Sequence, residues 1–218
     1  MNKQLLLIVS LFFAVAVAAQ ETAFTAAKSV DGEYVDFTVD NLGNYFLLSK
    51  NNQLKKLNAK GDSIAVFNDV RRYGKLHSID VANPLKVLLY YKNFVTILVL
   101  DRFLNIINSI DLRKQNIFQA KAIAQSYDNN IWVYDEQESK LKKIGEDGKV
   151  LTETVDFRII FDEAPTPTQI FDQDGFVYLY DPEKGIYVFD IYGSFKTKLS
   201  YIGLKDVTVV GKTIIGIE

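Results

Sequence analysis

Residues 129–150, NNIWVYDEQESKLKKIGEDGKV, decide how the chain is read. A turn at Asn129-Asn130 opens onto an apolar run, IWVY, at 131–134. Asparagine tolerates the backbone of tight turns, and aromatic and β-branched residues suit a pleated, half-buried surface. A second strand, LKKI at 141–144, closes on Glu146-Asp147-Gly148. Two short runs bounded by such turns read as an antiparallel strand pair.

The phrase recurs along the chain. Leu57, Leu100, Ile144 and Phe189 end the second strand of each copy and lie 43, 44 and 45 residues apart. Gly61, Gly148 and Gly193 follow three of these anchors at a fixed offset, and Leu104 holds that place after Leu100. Upstream of each anchor lies another run, at 45–48, 87–90, 131–134 and 177–180, each entered from a turn. A further short run precedes each turn, and a fourth follows each anchor. Each unit is therefore about four strands in just over 40 residues, the period of a β-propeller blade. A lone blade cannot bury both faces, so neighbours must cover one another around an axis.

The fold predicted is an all-β propeller of about five short four-stranded blades, with four blades or an open stack as alternatives. Residues 207–217 read as the first two strands of a fifth unit, and residues 23–30, AFTAAKSV, are the natural donor for closing the ring. The connectors 68–75 and 156–168 read as loops, the latter holding Pro165 and Pro167, which cannot donate ladder bonds.

Residues 1–19 read as a secretory signal peptide. Lys3 gives the positive start, an apolar run follows, and Val17-Ala18-Ala19 is a small-residue cleavage site. The mature chain, 20–218, is then a single propeller domain in the periplasm, in contact with a membrane only through partners.

Composition excludes several function classes. The chain has no cysteine and one histidine, so thiolate sites and sites built on several imidazoles are ruled out. The net charge is −2, and basic residues run no longer than the pairs Lys55-Lys56, Arg71-Arg72, Arg113-Lys114 and Lys142-Lys143. A nucleic-acid surface needs a concentrated basic face, so none is expected. No nucleophile elbow, phosphate loop, dinucleotide fingerprint or zinc-protease motif occurs. Catalytic, cofactor-binding and metal residues are accordingly predicted to be none, and the chain is predicted not to be an enzyme.

His77 opens the innermost strand of the second unit and reads as a hydrogen-bonded histidine rather than a ligand. Asp172-Gln173-Asp174-Gly175 approaches a calcium loop but lacks its later acids, so it reads as a plain turn. Trp132 and Tyr134 read as core between sheets. The candidate interaction residues are Arg71, Arg72, Tyr90, Tyr91 and Trp132, because Tyr, Trp and Arg anchor many interfaces. The alternative is a carbohydrate-binding or glycan-active protein with Trp132 and Asp135 converging on the central channel.

At whole-chain level the blocks SIDVANPLKVLLYYKNF, DLRKQNIFQAKAIAQSYDNNIWVYDE and QIFDQDGFVYLYDPEKGIYVFD resemble small periplasmic propeller proteins of Bacteroidota, and among them the PorD-like accessory components of the type IX secretion system. The resemblance implies a protein-interaction scaffold packed against other components at the outer membrane. It carries no functional residue over to this chain.

Overall fold

The computed structural model describes residues 29–217. The chain builds four four-stranded antiparallel sheets and one two-stranded sheet. The first is β1 (Tyr34–Val39), β2 (Tyr45–Ser49), β3 (Leu54–Leu57) and β4 (Ser63–Phe67); the second is β5 (Ser78–Asn83), β6 (Lys86–Tyr91), β7 (Thr96–Asp101) and β8 (Ile106–Asp111). The third is β9 (Ala120–Gln125), β10 (Ile131–Asp135), β11 (Lys140–Ile144) and β12 (Val150–Glu153). The fourth is β13 (Gln169–Gln173), β14 (Phe176–Asp181), β15 (Gly185–Asp190) and β16 (Phe195–Leu199); β17 (Lys205–Val210) and β18 (Thr213–Ile217) make the last. Each sheet follows chain order, as in a propeller blade.

The repeat read from sequence has a physical basis in the third strand. Leu57, Leu100, Ile144 and Phe189 pair with Tyr45, Val87, Ile131 and Val177, and the pairing with the outer strand shifts register at each anchor. A bulge there bends the outer strand away and ends regular pairing. The turn that follows places Gly61, Gly148 and Gly193 at φ 88°, 82° and 85°, and Leu104 at φ 63° in the one copy without glycine. Leu104 is held in that strained region by burial against the second sheet's neighbour.

Burial follows position in the blade. The middle strands β6, β10, β14 and β15 are almost wholly buried, whereas the outer strands β8, β12 and β16 are mostly exposed. Lys196 on β16 pairs with Asp190, and Lys198 covers the Tyr187 ring, so the outer edge is charged and poorly suited to pairing. Four hydrophobic clusters fill the gaps between consecutive sheets. Trp132, Phe157, Leu179 and Phe189 centre the one between the third and fourth. Burying one such side chain contributes roughly 1.5–3 kcal/mol, so this packing is what holds the blades together.

The two connectors predicted as loops each contain one helical turn, α1 (Val70–Tyr73) and α2 (Phe157–Ile160). Asp156 caps α2 by accepting from Arg158 N, and α2 drives Phe157 into the core against Phe189, ring centroids 5.0 Å apart. One turn of four residues is too short to show a helical period in the sequence. Of the closing strand expected from residues 23–30, residues 23–28 lie outside the described residues, and Ser29 and Val30 are in no strand.

Candidate functional site

The inner strands β1, β5, β9, β13 and β17 surround one cavity of about 590 Å³. Each inner strand pairs on one side only, so its other edge turns backbone N–H and C=O groups toward the cavity. The polar side chains gather where these strands enter their turns. Asp80, on β5, reaches across to the third sheet and accepts from Gln125 N at 2.7 Å, while its other oxygen accepts from Ala82 N at 2.8 Å. Asp172, on β13, reaches the same sheet from the other side. One of its oxygens accepts from Ser126 Oγ at 2.8 Å, Trp132 Nε1 at 2.9 Å and Tyr127 N at 3.2 Å.

Between them lies Gln125, only 4% exposed. Neither its amide nitrogen nor its amide oxygen has a hydrogen-bond partner, and the second oxygen of Asp172 is equally buried and unpartnered. Burial pushes the Asp80 carboxyl above the ordinary carboxylate value, against the pull of the two N–H groups it accepts from. At the opposite end of the cavity His77 stands against the edge of Tyr90, centroids 5.7 Å apart. Partial burial and then the charges of Lys92 and Lys121 pull its imidazole below the usual value, toward the neutral form.

The sequence candidates fall elsewhere. Tyr90 is fully buried, and its hydroxyl donates to Ala120 O at 2.8 Å. Tyr91 is buried against Tyr73, and Trp132 has no exposed surface. These three are core residues that meet no outside molecule, which corrects their reading as interface anchors. The reason is that adjacent positions of a middle strand point into two different blade interfaces, and both are filled. Arg72 remains at the surface over the Tyr73 ring, and Arg71 belongs to α1. Asp135, paired with Trp132 in the glycan reading, is wholly buried and bonded to Lys142 at 2.8 Å, so that constellation does not form. Gln125 stands in no motif, and Asp172 was read only as part of a plain turn; what marks both is an unmet hydrogen-bonding capacity that only the fold creates. Among the described residues no group of three or more His, Cys, Asp or Glu is placed to hold a metal.

A second surface lies at the ends of the blade series. Cross-strand pairing puts Phe37 beside Leu47 and Val39 beside Tyr45, on the face of the first sheet opposite Phe46 and Leu48, which pack toward the second. Phe37 is 68% exposed, and Val39 and Val66 share that face in the open. On the last sheet Val209 and Ile214 pack on the fourth, leaving Val210, Ile215 and Ile217 exposed on the other side.

Comparison with known proteins supports the fold. No protein-family model matches the chain, and a search of curated proteins finds no relative. Solved structures do match. A streptogramin B lyase aligns over 89% of this chain and 65% of its own, at 18% identity and TM-score 0.62. A catalytically inactive histidine-to-alanine variant of virginiamycin B lyase from Staphylococcus aureus, crystallised with quinupristin, aligns over 88% and 64% at 13% identity and TM-score 0.61. The selenomethionine form of that lyase gives 89%, 65%, 13% and 0.61. The fold is a β-propeller, and about five blades fit it. The chain spans just under two thirds of the length of these structures.

One expectation is thereby corrected. No local motif carries chemistry, and the chain was on that ground expected not to be an enzyme, yet the solved structures it matches include lyases. Groups that act together in a propeller come from different blades and meet at the axis, so their spacing is spatial and leaves no contiguous signature. An empty motif search therefore says nothing about catalysis in this fold.

Proposed function

We propose that the chain is a propeller scaffold that engages protein partners at the ends of its blade series, chiefly through the two-stranded sheet β17–β18. The observation that carries this reading is the exposure of Val210, Ile215 and Ile217 beside a strand edge that has no neighbour among the described residues. The other sheets have four strands, so this one has room for two more. An extended segment added to β18 gains backbone hydrogen bonds, and its alternate side chains cover the isoleucines. Contiguous exposed apolar surface of this kind marks interaction sites in soluble proteins.

The leader and the resemblance to periplasmic propellers support export, with partners in an outer-membrane or periplasmic complex, in the setting of type IX secretion. Fractionation of the producing cell and purification of the tagged full chain from its envelope test this. A stoichiometric partner that is retained by wild type and lost in Ile215→Arg, with unchanged circular dichroism, is the expected result. A partner set that the substitution leaves intact, or recovery of the chain alone from the soluble cytoplasm, overturns the reading.

A further inference from the structure

Charge is segregated on the rim of the blades that carries the connectors. Successive strands of each sheet run antiparallel, so the turn between its two middle strands and the connector to the next sheet lie at the same end. On that rim, segments 68–77, 92–95 and 112–119 run over the second sheet and its two junctions, and they hold six Lys or Arg against one Asp. They touch one another. Phe94 lies over Gly74, where a Cβ would come 3.2 Å from its ring, and Leu112 N donates to Val95 O at 3.0 Å. Arg72, Lys75, Lys92 and Lys114 are exposed and form no ion pair among the described residues. After burial, Lys92 is the next cause that holds the nearby His77 toward its neutral form, as a positive surface does.

Over the third and fourth sheets the same rim is negative. Segments 136–139, 154–168 and 182–184 hold six Asp or Glu against two Lys or Arg. Asp162 and Glu183 are exposed with no ion pair among the described residues, and Glu163 reaches Lys184 only at 3.6 Å. Lys121 and Glu136, paired at 3.2 Å, stand where the two sectors meet. Each sector also exposes apolar side chains: Phe94 and Phe118 in the positive one, Ile159 at 79% exposure and Ile160 in the negative one. A solvated charged face alone asks for no partner. Two sectors of opposite sign on one rim, each beside exposed apolar groups, are the composition of a docking surface.

The segregation selects the occupant. A surface of one sign, such as an anionic membrane, is drawn to one sector and repelled by the other. A second copy, turned about a two-fold axis along the border, lays its negative sector on the positive one and its positive sector on the negative one. Both attractions are then made twice by one self-complementary patch. We propose that this rim docks a second copy of the chain, with the sector of Lys75, Lys92 and Lys114 on each protomer facing the sector of Asp162, Glu163 and Glu183 on the other. The end faces of the blade series stay outside this contact, so the dimer does not rest on the partner reading made for them.

Sedimentation velocity and light scattering on the purified chain, across concentration and salt, test the proposal. Wild type dimerises as its concentration rises. Raising the salt from about 0.1 M to about 1 M shortens the reach of charge from about 10 Å to about 3 Å, and the dimer weakens about tenfold or more. The double variant Lys75→Glu, Lys92→Glu is monomeric with unchanged circular dichroism, and so is Asp162→Lys, Glu183→Lys. An equimolar mixture of the two forms a heterodimer, because each reversed sector again meets its opposite. The neutral pair Lys75→Gln, Lys92→Gln weakens the dimer less than the reversal does. A chain that stays monomeric at every concentration, a dimer that the reversals leave intact, or a mixture that stays monomeric overturns the proposal. So does a dimer abolished by Ile215→Arg, which assigns the contact to the end faces, and so does a monomeric chain whose Lys75→Glu, Lys92→Glu variant loses an envelope protein, which assigns the rim to a different partner.

Discussion

Replacing Asp172 with alanine should separate the third and fourth blades energetically. Its bonded oxygen satisfies two buried donors, the indole N–H of Trp132 and the hydroxyl of Ser126, together with the more exposed Tyr127 N–H. Hydrogen bonds to a charged acceptor contribute about 1.5–3 kcal/mol each when the partner is left unmatched. The serine hydroxyl can rotate and Tyr127 N–H can reach water, so the two buried donors account for about 3–5 kcal/mol. A domain of this size is stable by about 5–15 kcal/mol in total, and each kcal/mol moves its midpoint by about 2–4 °C. The expected fall is therefore about 6–20 °C. Trp132 is the only tryptophan in the chain, and it stacks under Lys143 at 4.5 Å beside Asp172, so its emission reports on this junction alone. Urea unfolding followed by that emission and by far-UV circular dichroism measures the loss. Asp172→Asn should stay within about 1 kcal/mol of wild type, because an amide oxygen can take the place of the bonded carboxylate oxygen. An alanine variant as stable as wild type, or an asparagine variant as damaged as alanine, refutes the reasoning.

Two further outcomes are expected. Gly185 sits at φ 99°, where a Cβ would lie 2.3 Å from Leu199 O. Gly185→Ala therefore forces apart β15 and the end of β16 and should cost more than about 2 kcal/mol in urea unfolding, well above the usual surface substitution. Burial pushes the Asp128 carboxyl up, but hydrogen bonds led by that of Lys143 at 2.9 Å outweigh it and bring the value down to about 2, against 3.8 for the free side chain. Because the folded value is the lower one, the stabilisation is fully present above about pH 4 and is lost as pH falls toward 2. The urea-midpoint difference between wild type and Asp128→Asn should shrink across that window, and a difference that stays constant from pH 5 to pH 2 contradicts it.

The blade repeat was legible because each strand carries its own local marks. Anchors such as Ile144 and Phe189 must be apolar to fill the gap between sheets, and the turn after each needs a residue that accepts positive φ. Leu104 shows the limit of that rule: the turn kept its shape without glycine because burial over-determines it. The candidate site was not legible for the opposite reason. Sequence marks a residue by type, and Tyr90, Tyr91 and Trp132 looked like anchors until two filled interfaces enclosed them.

Strand identity and the blade period were legible in the order of residues alone, since the turns and apolar runs that mark them are local. Which polar groups lack partners was decided only by the tertiary structure. Asp80, Gln125 and Asp172 stand some 45 residues from one another in the chain and come together at the axis because successive blades turn about it. Distance through the chain carries no trace of that meeting, and it is the meeting that leaves the Gln125 amide without a partner.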